Sequence, residues 1–255
     1  MQSGIPIVAR ALATYVAWIV IGVGGAALLT GGKTPLDELV SHRIGLQFVA
    51  SCLLLIATIR FAGWPVLGFV KPQQEGWWKL LWLPAAYIAV FVVLAVKQGL
   101  ASPAVIGFVL VNTAMVGFSE ETMFRGILFQ AFRKAMPIWP AIALSTILFG
   151  AVHVLNGFIT GDFTAAFFQS LAAAMSGLLF AAILIRSGWI WPPIVVHALW
   201  DFTIFMMANQ DKAPAAPASP SGSTWVAHVL FVLPSFVYAL FLLRRIPQNV
   251  VTQDK

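Results

Sequence analysis

"PAVIGFVLVNTAMVGFSEETMFRGILFQAF", residues 103–132, decides the fold. It is long and apolar enough to cross a bilayer as a helix. Yet it carries Glu120, Glu121 and Arg125 within six residues. The rest of the chain avoids charge: 9% of its 255 residues are charged and 60% are hydrophobic. The mean hydropathy is +0.90. A soluble domain carries about 25% charge. Apolar runs of similar length recur along the whole sequence. Lipid offers no hydrogen bonds to an open backbone, so such runs must span as helices.

The expectation is therefore an all-α polytopic membrane protein, a single transmembrane domain over 1–255. About eight helices are expected, roughly at 11–30, 44–62, 80–96, 104–132, 140–156, 163–185, 189–208 and 225–243. The first is too long for a typical signal-peptide core. Pro, Gly and Trp punctuate the spans, as in "RSGWIWPP" at 186–193, and Trp suits the headgroup region. "NQDKAPAAPASPSGST", 209–224, reads as a flexible surface loop. No internal repeat is evident.

The formal net charge of +6 is scattered between spans. That pattern indicates topology and contact with membrane lipids rather than nucleic acid. With eight spans both termini share a side. Ten of the 15 basic residues fall on that side and four on the other, with Arg125 inside the membrane. The positive-inside rule then places both termini in the cytoplasm. Cys52 is the one cysteine. It excludes an intrachain disulfide and a cysteine-based zinc site.

A charge at mid-bilayer costs about 2.5–3.5 kcal/mol on insertion scales. Three such charges need partners or a wet cavity. Glu121 and Arg125 are four apart, share a helix face and can pair. Glu120 points about 100° away from Glu121 and has no local partner. Other polar candidates inside apolar runs are few. His153 lies in "LFGAVHVLNG", and His197 in "PPIVVHALWDF" with Asp201 one turn on. His42 and His228 fall near span ends. Glu120 and His153 stand 14 residues on either side of the turn near 134–139, so both lie roughly 21 Å from it along their helices. The spacing predicts an intramembrane polar cavity where Glu120, His153, His197 and Asp201 meet.

Three motifs stand in order: Glu120-Glu121-Thr-Met-Phe-Arg125, Phe149-Gly-Ala-Val-His153 and His197-Ala-Leu-Trp-Asp201. Over about 105–205 the chain resembles the CPBP intramembrane proteases, which include CAAX-processing endopeptidases and Abi-type bacterial proteins. The family's third motif ends in Asn or Asp. The resemblance implies hydrolysis of a peptide bond in a membrane-associated substrate, a peptide or a lipidated peptide of the prenylated CAAX type. It also suggests a bacterial inner membrane as the setting.

The residue chemistry is compatible with that reaction. A carboxylate kept from bulk water takes up a proton more readily. Glu120 is expected to deprotonate a water held with His153, and His197 to donate to the oxyanion. Asp201 is expected to orient His197 or to bind a metal. Glu120, His153, His197 and Asp201 form a mixed N/O set that Zn²⁺ accepts, although no H-E-x-x-H helix is present. A metal-free glutamate mechanism serves equally well. Ser119 and Ser145 lack a motif that sets them beside a histidine. The competing functions are a non-catalytic family member in immunity or partner binding, and a proton-coupled transporter.

Overall fold

The structure is a computed structural model that describes residues 5–61, 68–69, 75–208 and 222–246. Among the described residues nine helical elements follow one another: α1 (Pro6–Thr30), α2 (Leu36–Ser41), α3 (Leu46–Phe61), α4 (Trp77–Gln98), α5 (Pro103–Ala135), α6 (Ile138–Thr160), α7 (Phe163–Ser187), α8 (Trp191–Ala208) and α9 (Gly222–Leu243). Six of them are long and apolar enough to cross a membrane; α3 and the Val229–Leu243 part of α9 are shorter apolar helices. Within the described residues the expected eight apolar stretches are thus helical, α3 being the shortest at 16 residues. The small α2 was not anticipated and lies where a loop was expected. Residues 209–221 of the expected surface loop lie outside the described residues, as does the side chain of His228. His42 is exposed at the end of α2.

Local chemistry explains the boundaries. At α5, Ser102 accepts from the Val105 N–H and Pro103 occupies the first turn, where its missing N–H costs nothing. The α5–α6 turn is sharp because Met136, which precedes Pro137, is extended. Asp162 caps α7 by accepting from Ala165 N, and Gly188 ends it in the left-handed conformation with φ 67°. Helix α8 opens on Trp191-Pro192-Pro193, again with prolines in the first turn.

The hub is α7. The most apolar window of α7 is 61% buried, against 11% for α4. Helix α7 packs on α6, α8 and α9, while α5 packs on α8 and α3, and α4 flanks α8. Lipid association lacks a strong hydrophobic drive, so close contacts rest on small residues. A Cβ on Gly117 of α5 would stand 2.9 Å from the Ala198 nitrogen of α8. A Cβ on Gly150 of α6 would stand 2.7 Å from Ala174 Cβ of α7. These glycines let backbones touch. The aromatic rings Phe124, Phe149 and Phe180 fill the space around the C-terminal half of α5. The apolar surface faces outward, with Leu28 and Phe61 each 87% exposed, as lipid contact requires.

A second tie is polar. Asn112 of α5 is fully buried; its amide donates to the carbonyls of Val40 and Arg43 and its oxygen accepts from the Gly45 N–H. One side chain therefore fixes the α2–α3 connection, and with it the placement of α2 over the cavity described below.

Gly117→Ala is expected to destabilise the fold by about 1–3 kcal/mol, because backbone cannot yield to the added methyl. Thermal unfolding in detergent measures this. An unchanged midpoint would show that α5 and α8 can separate freely.

Candidate active site

The three motifs occupy three helices, and each is held by an irregularity in one of them or by a packed neighbour. In α5 the regular helix ends at Glu121 and a π-helical stretch runs from Thr122 to Leu128. Its i→i+5 hydrogen bonds widen the turn, a feature frequent at functional sites. In α6 the regular helix ends at Val152, and a 3₁₀ turn spans His153–Asn156.

Glu121 and Arg125 pair as expected: Nη1 lies 3.1 Å from Oε1. The other guanidinium nitrogen, Nη2, donates to the Gly177 carbonyl at 2.7 Å. The guanidinium carbon sits 4.1 Å from the Phe149 ring centre and 5.5 Å from that of Phe180. These faces supply cation–π attraction. A side chain at Gly177 would block the arrangement, since its Cβ would lie 2.6 Å from Phe149 Cδ1 and 3.0 Å from Nη2.

Glu121 has a second partner that sequence reasoning missed. The same Oε1 lies 2.9 Å from His197 Nδ1, which donates to it as an N–H. The Phe180 ring stacks on the imidazole at 4.9 Å. Glu121 and Phe180 therefore set the ring's plane and direct its Nε2 into the cavity. His153 is held differently: Nδ1 donates to the Phe149 carbonyl one turn back, at 2.7 Å. That leaves its Nε2 as an acceptor in the neutral tautomer.

Glu120 lies between them. Its Oε2 is 3.8 Å from His153 Nε2 and 3.8 Å from His197 Nε2. That oxygen is buried and has no hydrogen-bond partner among the described residues. Asp201 Oδ2 stands 3.4 Å from His197 Nε2, one turn along α8. Side-chain exposure rises from 0% for Glu121 and 3% for Arg125, through 6% for His197 and 12% for His153, to 16% for Glu120 and 25% for Asp201. The last four line a cavity of about 470 Å³; Glu121 and Arg125 do not. The expected separation of the two glutamates thus appears as a sealed pair behind an open one.

The expected zinc ligands do meet, but not as a ligand set. Among the described residues no three His, Cys, Asp or Glu side chains are placed to hold a metal ion. Ligand atoms around tetrahedral Zn²⁺ stand about 3.3 Å apart, whereas Glu120 Oε2 lies 3.8 Å from each imidazole nitrogen. Asp201 Oδ2, at 3.4 Å from His197 Nε2, is close to that spacing. The two serines have local roles, Ser119 bonding the Val116 carbonyl and Ser145 the Ile142 carbonyl of their own helices.

Glu121→Ala is expected to cost about 3–5 kcal/mol, because it leaves a buried guanidinium without its carboxylate. Folded protein recovered after detergent extraction should fall sharply. The double substitution Glu121→Gln with Arg125→Met should recover part of the loss. Equal yields for Glu121→Ala and Glu120→Ala would contradict the sealed-pair arrangement.

A family model described as type II CAAX prenyl endopeptidase Rce1-like matches residues 77–203. The match begins with α4 and ends in α8, so it extends the motif region of 105–205 toward the N-terminus. It contains all six residues of the polar cluster. No curated protein and no solved structure matches the chain. With that match over residues 77–203, the chain is a member of the CPBP family of membrane-embedded proteases.

Proposed function

We propose that this integral membrane protein hydrolyses a peptide bond in a membrane-associated peptide of the prenylated CAAX type, with Glu120 activating the attacking water. The observation that carries this reading is the buried, unpartnered Glu120 Oε2 facing two imidazole nitrogens at 3.8 Å each. A water about 2.8 Å from both Glu120 Oε2 and His153 Nε2 fits that separation. It would donate one hydrogen to each.

The reaction then balances within the chain's own groups. Glu120 takes a proton from the water as its oxygen bonds to the scissile carbonyl carbon. The carbonyl oxygen becomes an oxyanion. His197, with Nδ1–H committed to Glu121, offers Nε2 toward the cavity; carrying a proton there, it donates to the oxyanion. Collapse breaks the C–N bond, and the proton on Glu120 passes to the leaving amine. The products are a carboxylate and an amine. Apolar lining residues such as Leu39, Phe48 and Phe231 share the cavity with this polar set. That mixture suits a peptide that bears a lipid. The excess of basic residues on one side supports cytoplasmic N- and C-termini.

Two measurements test the reading on a fluorogenic farnesylated CAAX peptide. Glu120→Gln should remove turnover, by at least about a hundredfold as for a lost general base, and leave the unfolding midpoint unchanged. Full activity in Glu120→Gln would make Glu120 a bystander, and an inactive wild type would favour a non-catalytic binding role. A divalent-metal chelator should leave the wild-type rate unaltered. Loss on chelation with recovery on added zinc would return the four cavity residues to a metal-ligand role. A reporter fused after Lys255 is expected to be active only in its cytoplasm-sensing form; the opposite result reverses the proposed orientation.

A further inference from the structure

A second polar group lines the same cavity, and the hydrolytic chemistry does not use it. Asn156 ends the 3₁₀ turn that begins at His153. Side chains three apart eclipse in a 3₁₀ turn, so Asn156 lies on the same face as His153. Its Nδ2 donates to Gln169 Oε1 of α7 at 2.9 Å. Both residues are partly buried and both line the cavity.

Each primary amide brings a donor group and an acceptor. One bond between them occupies the oxygen of one and the nitrogen of the other. Asn156 Oδ1 and Gln169 Nε2 then have no partner among the described residues. Were both amides rotated by 180°, the pair would still leave one free N–H group and one free C=O. A peptide group offers the complementary set, a carbonyl that accepts and an N–H that donates. An amide pair on a cavity wall is thus shaped for main chain rather than for a side chain, and it would work for varied sequences.

Its distance from the chemistry is short. Three residues of 3₁₀ helix rise about 6 Å. An extended peptide advances about 3.3–3.6 Å per residue. The pair therefore stands about two substrate residues from the level of His153.

We propose that Asn156 and Gln169 form a main-chain clamp that holds an extended peptide substrate about two residues from the cleaved bond. This inference rests on the hydrolytic reading above. Gln169 Nε2 donates to a substrate carbonyl and Asn156 Oδ1 accepts from a substrate N–H. The clamp is a positioning device: it sets register along the cavity and touches no reacting atom.

The experiment compares wild type, Gln169→Leu, Gln169→Glu and Asn156→Ala in detergent, with the farnesylated CAAX peptide as probe. Gln169→Glu is the decisive variant. Its carboxylate still accepts from Asn156, so the tie between α6 and α7 survives, but the free N–H is lost. KM should rise about tenfold in Gln169→Leu and Gln169→Glu alike, consistent with one or two lost hydrogen bonds, with kcat changed less than twofold. Peptides N-methylated one position at a time should show a single sensitive amide in the wild type. Asn156→Ala should lose that sensitivity. A purely structural tie predicts normal KM in Gln169→Glu and unchanged N-methyl sensitivity in Asn156→Ala, and either result overturns the clamp.

Binding separates this inference from the hydrolytic one. Anisotropy with the same labelled peptide is measured in a Glu120→Gln background, with and without Gln169→Glu. Binding that weakens about tenfold while the wild type shows no turnover keeps the clamp and removes the protease reading. Turnover with a KM indifferent to Gln169 does the reverse. Absence of both binding and turnover rejects both.

Discussion

One carboxylate oxygen organises the site. Glu121 Oε1 takes a hydrogen bond from Arg125 within α5 and another from His197 in α8, while Arg125 reaches on to the Gly177 carbonyl in α7. Three helices are thereby joined through a single buried ion pair. Burying two charges is expensive, and the attraction repays that cost only when geometry and extra hydrogen bonds are good. Here the guanidinium has a carboxylate, a carbonyl and the Phe149 face. The interaction cannot be weighed as stability alone. Its consequence is that His197 points one way, with Nε2 directed into the cavity.

The adjacent glutamates show how helix geometry divides labour. A step of one residue turns about 100° around the axis. Glu121 then looks into the packed interior, and Glu120 looks into a cavity of about 470 Å³. The cavity has room for several waters, which makes charged groups tolerable at that depth. The π-helical stretch starts directly after this pair. Arg125 lies within it and reaches both Glu121 and Gly177, in a helix that runs for 33 residues.

Much of this was legible in the chain itself. Apolar length gave the helices, and intramembrane charges at i and i+4 gave the ion pair. Matched depth on either side of the α5–α6 turn brought Glu120 and His153 together. Local rules could not reach what depends on neighbours. The bond from His197 to Glu121 spans 76 residues and requires a particular rotation of α8. Gly177 looked like any small residue in a helix, yet its importance lies in its carbonyl and in the space it leaves. The π and 3₁₀ stretches change hydrogen-bond register without an obvious residue signature. Helix α2 was hidden because six residues are too few for a periodic pattern, and Asn112 secures the connection that follows it from a distance of about 70 residues along the chain.

Asp201 meets His197 at the ring nitrogen opposite the one that Glu121 holds. An acidic residue one turn from His197 invites the role of holding the ring in place. Glu121 already fixes Nδ1, and Phe180 already fixes the ring plane. Asp201 adds a contact at the other ring nitrogen. Asp201 stands 3.4 Å from Nε2, the nitrogen that the proposed reaction turns toward the oxyanion, and is the most exposed member of the set. In that reaction its place beside Nε2 makes it the resting partner of the proton on that atom. The developing oxyanion then competes with Asp201 for the same N–H. An Asn, which the family also uses here, would hold that proton less strongly but could add a donor of its own. The two residues thus suit one position for different reasons, and the carboxylate keeps its place beside Nε2 at the more exposed end of the set.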